Sequence, residues 1–300
     1  MDITELCRAL ERGRTGTDWA ESVARFFAEG DLTYGHGTDN PRDEAYWLIR
    51  AQQGWSRQAW TAPPDIGLID GVVELARRRV AQRKPLAYLL GEAWFAGLRF
   101  RVDERVLVPR SPLAELIENR FSPWRRLQPG DRVLDVGTGS GCLAIAVAHH
   151  CDGVRVDATD ISSDALSVAR RNVREHGMEE RVRLIRTDLF TGTTGPYRII
   201  MANPPYVPSD RLEELPAEYR HEPGMALDGG ESGLDVVDRL LAGATSRLAP
   251  DGLLIVEVGE AEQAFRSRNP RLPATWLEFE RGGEGVFLLT HDELAGYLHA

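Results

Sequence analysis

Asn203-Pro204-Pro205-Tyr206 follows directly on Tyr197-Arg198-Ile199-Ile200-Met201-Ala202, a run with the composition of a buried strand. The Asn203 side-chain oxygen and the adjacent Pro204 backbone carbonyl can each accept a hydrogen bond from a flat NH2 group, and Tyr206 supplies a stacking face. Proline fixes φ and removes N–H donors, so the tetrapeptide is a stiff jaw that presents acceptors. Such a jaw suits an exocyclic amine or a side-chain amide. In isolation, a proline-rich turn closing a strand would read the same way.

The upstream segment Asp135-Val136-Gly137-Thr138-Gly139-Ser140-Gly141 joins a strand to a helix. Glycine at every second position lets backbone approach a ligand closely, and the helix start adds unpaired N–H donors. The spacing is neither the dinucleotide G-x-G-x-x-G nor the phosphate loop, which needs a lysine and a longer turn. Asp160, about 25 residues beyond Asp135, ends the next strand and could take both hydroxyls of a ribose. It could equally cap the following helix, a task that Ser162 or Ser163 could also perform. Asp188, after a third strand, could accept from an adenine amine, with Leu189 or Phe190 against the ring; a plain loop aspartate is the alternative. Glycine loop, two acids and jaw thus fall in chain order at the ends of four strands. Open α/β sheets bind ligands at such carboxyl ends.

The elements that must hold these groups are legible in the hydrophobic pattern. Residues 1–88 read as helical, with apolar residues at helical spacing over Trp19–Phe27, Glu44–Ile49 and Ile69–Val80. Asp39 or Asn40 before Pro41 predicts a capped helix start. Residues 89–110 read as a linker containing a hairpin around Gly97, and 111–300 as the domain that carries the chemistry. From Gly130 onward the chain alternates strand and helix. Strands are expected at 133–136, 154–159, 182–185, 199–201, 252–258 and 285–289, with a helix from about Leu234 to Leu248. This predicts an α/β fold with a mainly parallel sheet covered on both faces.

Composition narrows the functional classes. The chain of 300 residues is 42% hydrophobic and 27% charged, which is ordinary for a globular protein. No apolar run reaches the roughly 20 residues of a membrane span, and the acidic, polar start (Met1-Asp2-Ile3-Thr4-Glu5) does not resemble a signal peptide. Cys7, Cys142 and Cys151, odd in number and scattered, suit a reducing cytoplasmic setting. The formal charge of −10 disfavours a duplex nucleic acid as partner and suits a basic protein. His149-His150-Cys151 lacks the usual ligand spacings, so no metal is expected. His221 beside Glu222 could be a general base or a structural residue, and Trp94-Phe95 could be a substrate contact or a core anchor.

The order of these motifs resembles the class I S-adenosylmethionine-dependent methyltransferases, and the Asn-Pro-Pro-Tyr jaw is similar to that of members that methylate amide or exocyclic nitrogen. Pro85-Leu86-Ala87-Tyr88-Leu89-Leu90-Gly91-Glu92, the Trp94-Phe95 hairpin, Val106–Arg110, Glu222-Pro223 and Ala226-Leu227 extend the resemblance across nearly the whole chain, to the protein-(glutamine) methyltransferases. The resemblance implies a Rossmann-like, mixed seven-stranded sheet, a small N-terminal helical domain for substrate recognition, and S-adenosylmethionine as cofactor. Cofactor binding would fall to Asp135, Gly137, Thr138, Gly139, Ser140, Gly141, Asp160, Ile161, Asp188, Leu189 and Asn203. Asn203, Pro204, Pro205, Tyr206, Arg110 and Glu222 would meet the substrate, with Asn203, Pro204 and Tyr206 closest to catalysis.

One branch of that family acts on peptide release factors and usually continues Pro-Arg with Pro-Glu-Thr, whereas this chain has Ser111-Pro112-Leu113-Ala114-Glu115. Together with Tyr34–Pro41, Tyr219–Pro223 and Thr275–Phe279, this departure resembles the sister branch, which methylates a glutamine of large-subunit ribosomal protein three. Release factor methylation is the runner-up. A DNA adenine methyltransferase would want a basic groove and a target-reading domain. A non-catalytic assembly factor fits poorly with intact Gly137, Gly139, Gly141, Asp160 and Asn203.

Overall fold

The computed structural model describes residues 1–55 and 60–299. Two compact units emerge: Met1–Ala93 together with Pro216–His221, and Trp94–Leu215 together with Glu222–Ala300.

The first unit is built from α1 (Ile3–Arg12), α2 (Gly16–Glu29), α3 (Pro41–Gln53), α4 (Ile69–Gln82) and the short α5 (Leu86–Leu90). Their starts are locally encoded. Asp2 with Glu5 and Thr15 with Asp18 form reciprocal capping boxes, and Asn40 accepts the Asp43 N–H at 2.9 Å with Pro41 in the first turn. Leu6, Leu10, Trp19, Phe27, Leu48 and Ile49 are fully buried, and Trp19 donates its indole N–H to the Leu10 carbonyl at 2.8 Å. The segment 216–221 enters this unit through Glu218. That buried carboxylate accepts from Arg79 at 3.1 Å and from Arg83 at 2.7 and 2.9 Å, while Arg79 also pairs with buried Glu44 at 2.7 Å. Burial pushes the Glu218 carboxyl up, but the hydrogen bonds from Arg83, the Thr33 backbone and Arg79 outweigh it and hold the group at about 2. Tyr34–Pro41 and residues 219–221 meet here. The His36 and Tyr219 rings lie 4.6 Å apart, and Arg79 sits 5.8 Å from the Tyr34 ring centre.

The chain passes into the second unit through the hairpin of β1 (Glu92–Phe95) and β2 (Leu98–Arg101). In β1, Phe95 is buried whereas Trp94 stays exposed. Then follow α6 (Leu113–Glu118), β3 (Arg132–Val136), α7 (Cys142–His150), β4 (Arg155–Asp160), α8 (Ser163–Glu175), β5 (Val182–Arg186) and β6 (Tyr197–Ala202). After a stretch of short 3-10 turns come α9 (Asp235–Ala244), β7 (Leu248–Glu257), α10 (Glu262–Arg268), β8 (Thr275–Leu277), β9 (Val286–Thr290) and α11 (His291–Leu298).

Seven strands form one sheet in the order β5-β4-β3-β6-β7-β9-β8. The first five in that order are mutually parallel, while β9 runs antiparallel to both β7 and β8. One face packs on Leu116 and Ile117 of α6 and on the apolar side of α7; the other packs on α9, Phe265 of α10 and Leu294 of α11. Both faces are therefore dry, which explains why β3 and β6 are largely apolar rather than alternating. The helix expected to reach Leu248 ends at Ala244, because Leu248 already pairs with Tyr197 and begins β7. The three-residue β8 gave no usable pattern of its own.

Candidate active site

Each expected motif lies where a strand of the second unit ends. At the end of β3 the glycine loop turns through three residues in the left-handed region, Gly137 (φ +75°), Gly139 (φ +55°) and Gly141 (φ +82°), which side-chain-bearing residues adopt only at a cost. The loop is pinned to β4 by the N–H groups of Gly137 and Thr138, both donating to the Thr159 carbonyl at 2.9 and 2.8 Å. Asp135 braces it from beneath. This carboxylate is fully buried, accepts the Thr138 hydroxyl at 2.5 Å and the Ala144 N–H at 3.2 Å, and so fills one donor at the start of α7. Burial pushes it up to about 7, against the pull of those two donors.

Asp160, at the end of β4, accepts the Gly139 N–H at 2.9 Å on one oxygen and the Ser162 N–H at 2.8 Å on the other. Ser162 itself caps α8 by accepting from Ala165 at 3.1 Å, so the cap does not need the aspartate. Each Asp160 oxygen keeps a second lone pair for a ligand. Burial raises its carboxyl, and the donors of Ser162, Gly139 and Ile161 oppose that rise.

A cleft of about 340 Å³ runs along these strand ends, within the range of small-ligand sites. The structure brings to its wall Gly137, Thr138, Gly139, Ser140, Asp160, Ile161, Asp188, Leu189, Asn203, Pro204, Pro205 and Arg110. Four expected residues stand behind this wall. Asp135 supports the loop from below. Gly141 packs toward Ala169, where a Cβ would come within 3.3 Å. Tyr206 turns its ring onto Gly259, so closely that a Cβ there would sit 2.7 Å from Cζ. Buried Glu222 holds Arg110 in a two-pronged pair at 2.6 and 2.7 Å and accepts the Val108 N–H at 3.0 Å. Glu222 thus fixes the arginine that faces the cleft.

Several residues that shape the site carried no local signal. Asn172 on α8 donates to the carbonyls of Ser140 and Arg101 at 2.8 and 3.0 Å and accepts the Arg101 N–H at 2.7 Å, tying loop and hairpin together. Ser111 lines the cleft and donates its hydroxyl to buried Glu257 at 2.5 Å. A proline at that position could not do so. Burial pushes Glu257 up to about 7, with the Ser111 hydroxyl and the charge of Arg110 pulling the other way. Arg239 on α9 pairs with Asp188 at 2.5 Å, and both line the cleft. Leu189 is held at φ +50°, a strained conformation for a leucine. Burial pushes the Cys142 thiol up to about 12, which keeps it protonated and unsuited to nucleophilic work. His221 bonds the Gln82 carbonyl at 3.0 Å within the helical unit, and His150 bonds the Ala96 carbonyl at 3.0 Å. Among the described residues no group of three or more side chains could hold a metal, and no helix is long and apolar enough to cross a membrane.

The donor set fits a nucleoside-bearing cofactor. A carboxylate stands at the end of β4, the buried Ser140 hydroxyl lies on the cleft wall, and Ile161, 54% exposed, offers an apolar surface beside Asp160. A family model described as the methyltransferase small domain matches residues 119–215. The chain is 44% identical over 280 residues to the ribosomal protein uL3 glutamine methyltransferase of Neisseria meningitidis serogroup A, covering 92% of both chains. It is 41% identical over 276 residues to the protein of the same name from Francisella tularensis, covering 90% of this chain and 88% of that one. Among solved structures, a methyltransferase from Pyrococcus furiosus is similar at 21% identity and a TM-score of 0.49, covering 65% of this chain and 89% of that one.

Proposed function

The chain belongs to the ribosomal protein uL3 glutamine methyltransferases, and we propose that its cleft binds S-adenosylmethionine while the jaw presents a glutamine side chain of uL3 for N-methylation. The observation that carries this reading is the meeting of Asn203-Pro204-Pro205 with the glycine loop and Asp160 in one cleft. Asp160 would take the ribose hydroxyls, the glycine loop would lie against the amino-acid portion, and Asp188 with Leu189 would border the adenine. Bound there, the cofactor supplies a methyl group already activated by its sulfonium.

The work left to the protein is placement and charge management. A glutamine nitrogen is a poor nucleophile because its lone pair is delocalised into the carbonyl. The Asn203 side-chain oxygen and the Pro204 carbonyl accept its two hydrogens, aim the nitrogen at the methyl group and favour the positive charge that develops on it. Tyr206, wedged on Gly259, steadies the jaw from behind rather than facing the amide. One amide proton leaves after methyl transfer, so no strong base is required. A ribosomal protein substrate implies a cytoplasmic site of action. Asn203→Ala tests the assignment: turnover should fall by at least 100-fold while calorimetry shows cofactor affinity within about threefold of wild type. Normal turnover in that variant would remove the jaw from the mechanism.

A further inference from the structure

No residue of the segment Thr275–Phe279 lines the cofactor cleft. Its first three residues are β8, the outermost strand of the sheet. With Leu116 of α6, Asn119 just beyond that helix and Trp124, residues 276–279 wall a second cavity of about 350 Å³. The charged residues on that wall are Glu115 and Glu278, with no arginine or lysine. Glu115 is already engaged by the backbone N–H groups of Glu280 and Arg281, both at 3.0 Å, and by the Arg281 guanidinium at 3.5 Å, which leaves Glu278 as the uncompensated carboxylate. Glu278 is exposed, and among the described residues no cation pairs with it. Trp124, 43% exposed, adds an aromatic side chain. A carboxylate and an indole on the wall of one small cavity suit a lysine or arginine side chain, through charge and through cation–π attraction.

Register fixes where Glu278, on the wall of this cavity, lies relative to the jaw. Val256 pairs with Ala202, and the next residue, Glu257, pairs with Val286, which in turn pairs with Leu277. Asn203, Glu257, Val286 and Leu277 therefore occupy one row across the sheet. Because β8 is antiparallel to β9, and β9 to β7, the end of β8 points the same way as the end of β6. Glu278 follows the one as Asn203 follows the other. Three strand spacings of ~4.8 Å separate them, ~14 Å in all, which an extended peptide covers in about four residues.

We propose that the Trp124–Glu278 cavity is a substrate subsite that holds a lysine or arginine lying about four to six residues from the glutamine being methylated. The inference rests on a ribosomal protein being the substrate, and the net charge of −10 agrees with a basic partner. Trp124 and Glu278 are positioning residues, distant from the reacting atoms, so their loss should separate KM from kcat.

The test is steady-state methylation of purified uL3 by full-length wild type, Trp124→Ala, Glu278→Gln and Glu278→Lys, with thermal unfolding alongside. Glu278→Lys should raise KM about tenfold with kcat within twofold, and Glu278→Gln and Trp124→Ala should each raise it a few-fold. Changing the neighbouring basic residue of uL3 to alanine should raise KM for wild type but add little in Glu278→Lys. Unchanged KM across the folded variants would overturn the subsite while leaving the methylation reading intact. Wild type that fails to methylate uL3 at all would overturn both.

Discussion

Gly259→Ala is a substitution whose effect can be worked out from the contact it disturbs. Gly259 sits at φ +46°, and a Cβ there would lie 2.7, 2.8 and 2.9 Å from Cζ, Oη and Cε2 of Tyr206. An alanine in the left-handed region costs roughly 1–2 kcal/mol. The steric overlap is about 1 Å short of a comfortable carbon–carbon distance, and overpacking of that kind costs about 1–3 kcal/mol. Together the variant should lose about 2–5 kcal/mol of stability, read as a lower urea midpoint with an unchanged slope. The ring can escape only by moving about 1 Å, which shifts the jaw, and misplacement on that scale can lower turnover on the order of 100-fold. Cofactor affinity should hold, since neither Gly259 nor Tyr206 lines the cleft. Adding Tyr206→Ala to Gly259→Ala removes the overlap, so the double variant should recover all but the backbone share of the lost stability while turnover stays low. If Gly259→Ala turns over like wild type at wild-type stability, the wedged tyrosine has no part in holding the jaw.

The other expectations concern the buried carboxylates. Asp160→Ala removes the acceptor for Gly139 and Ser162 as well as the proposed ribose contact, so the calorimetric Kd for S-adenosylmethionine should rise on the order of 10- to 100-fold; an unchanged Kd would refute the ribose assignment. Glu257, raised to about 7 in the folded protein from an ordinary value near 4.5, binds a proton more tightly when folded than when unfolded. Its contribution to stability is therefore fully present below about pH 4.5 and is lost as pH rises through about 7, amounting to about 3 kcal/mol. Glu257→Gln keeps an acceptor for Ser111 but does not titrate, so its urea stability should be flatter over that window. A wild-type slope in the variant would mean that another group is responsible.

The parts of the site that rest on neighbours in sequence were legible from the sequence, and the parts that rest on distant pairing were not. The jaw, the glycine loop and Asp160 each declare themselves through residue types within a few positions, because a tight turn or a strand end dictates them locally. The capped start at Asn40-Pro41 is legible for the same reason. By contrast, Ser111 meets Glu257 across 146 positions and Arg79 meets Glu218 across 139. Neither pair has a periodicity or motif that would reveal it. The 216–221 segment joins the helical unit through a buried carboxylate and ring contacts amid short 3-10 turns, where hydrophobic patterning is weak. Strand β8 is three residues long and takes its place only by pairing with β9. Tyr206 shows the same limit: its type was informative, but the direction of its ring was set by a glycine 53 positions away.

The most direct test of the central claim is to incubate the purified protein with isotopically labelled S-adenosylmethionine and purified uL3, with peptide release factor in a parallel reaction, and to locate added methyl groups by tandem mass spectrometry. The account predicts one methyl on a glutamine side-chain nitrogen of uL3, absent with Asn203→Ala, and little or none on the release factor. Methylation of the release factor in preference to uL3, or of any residue other than glutamine, would contradict it.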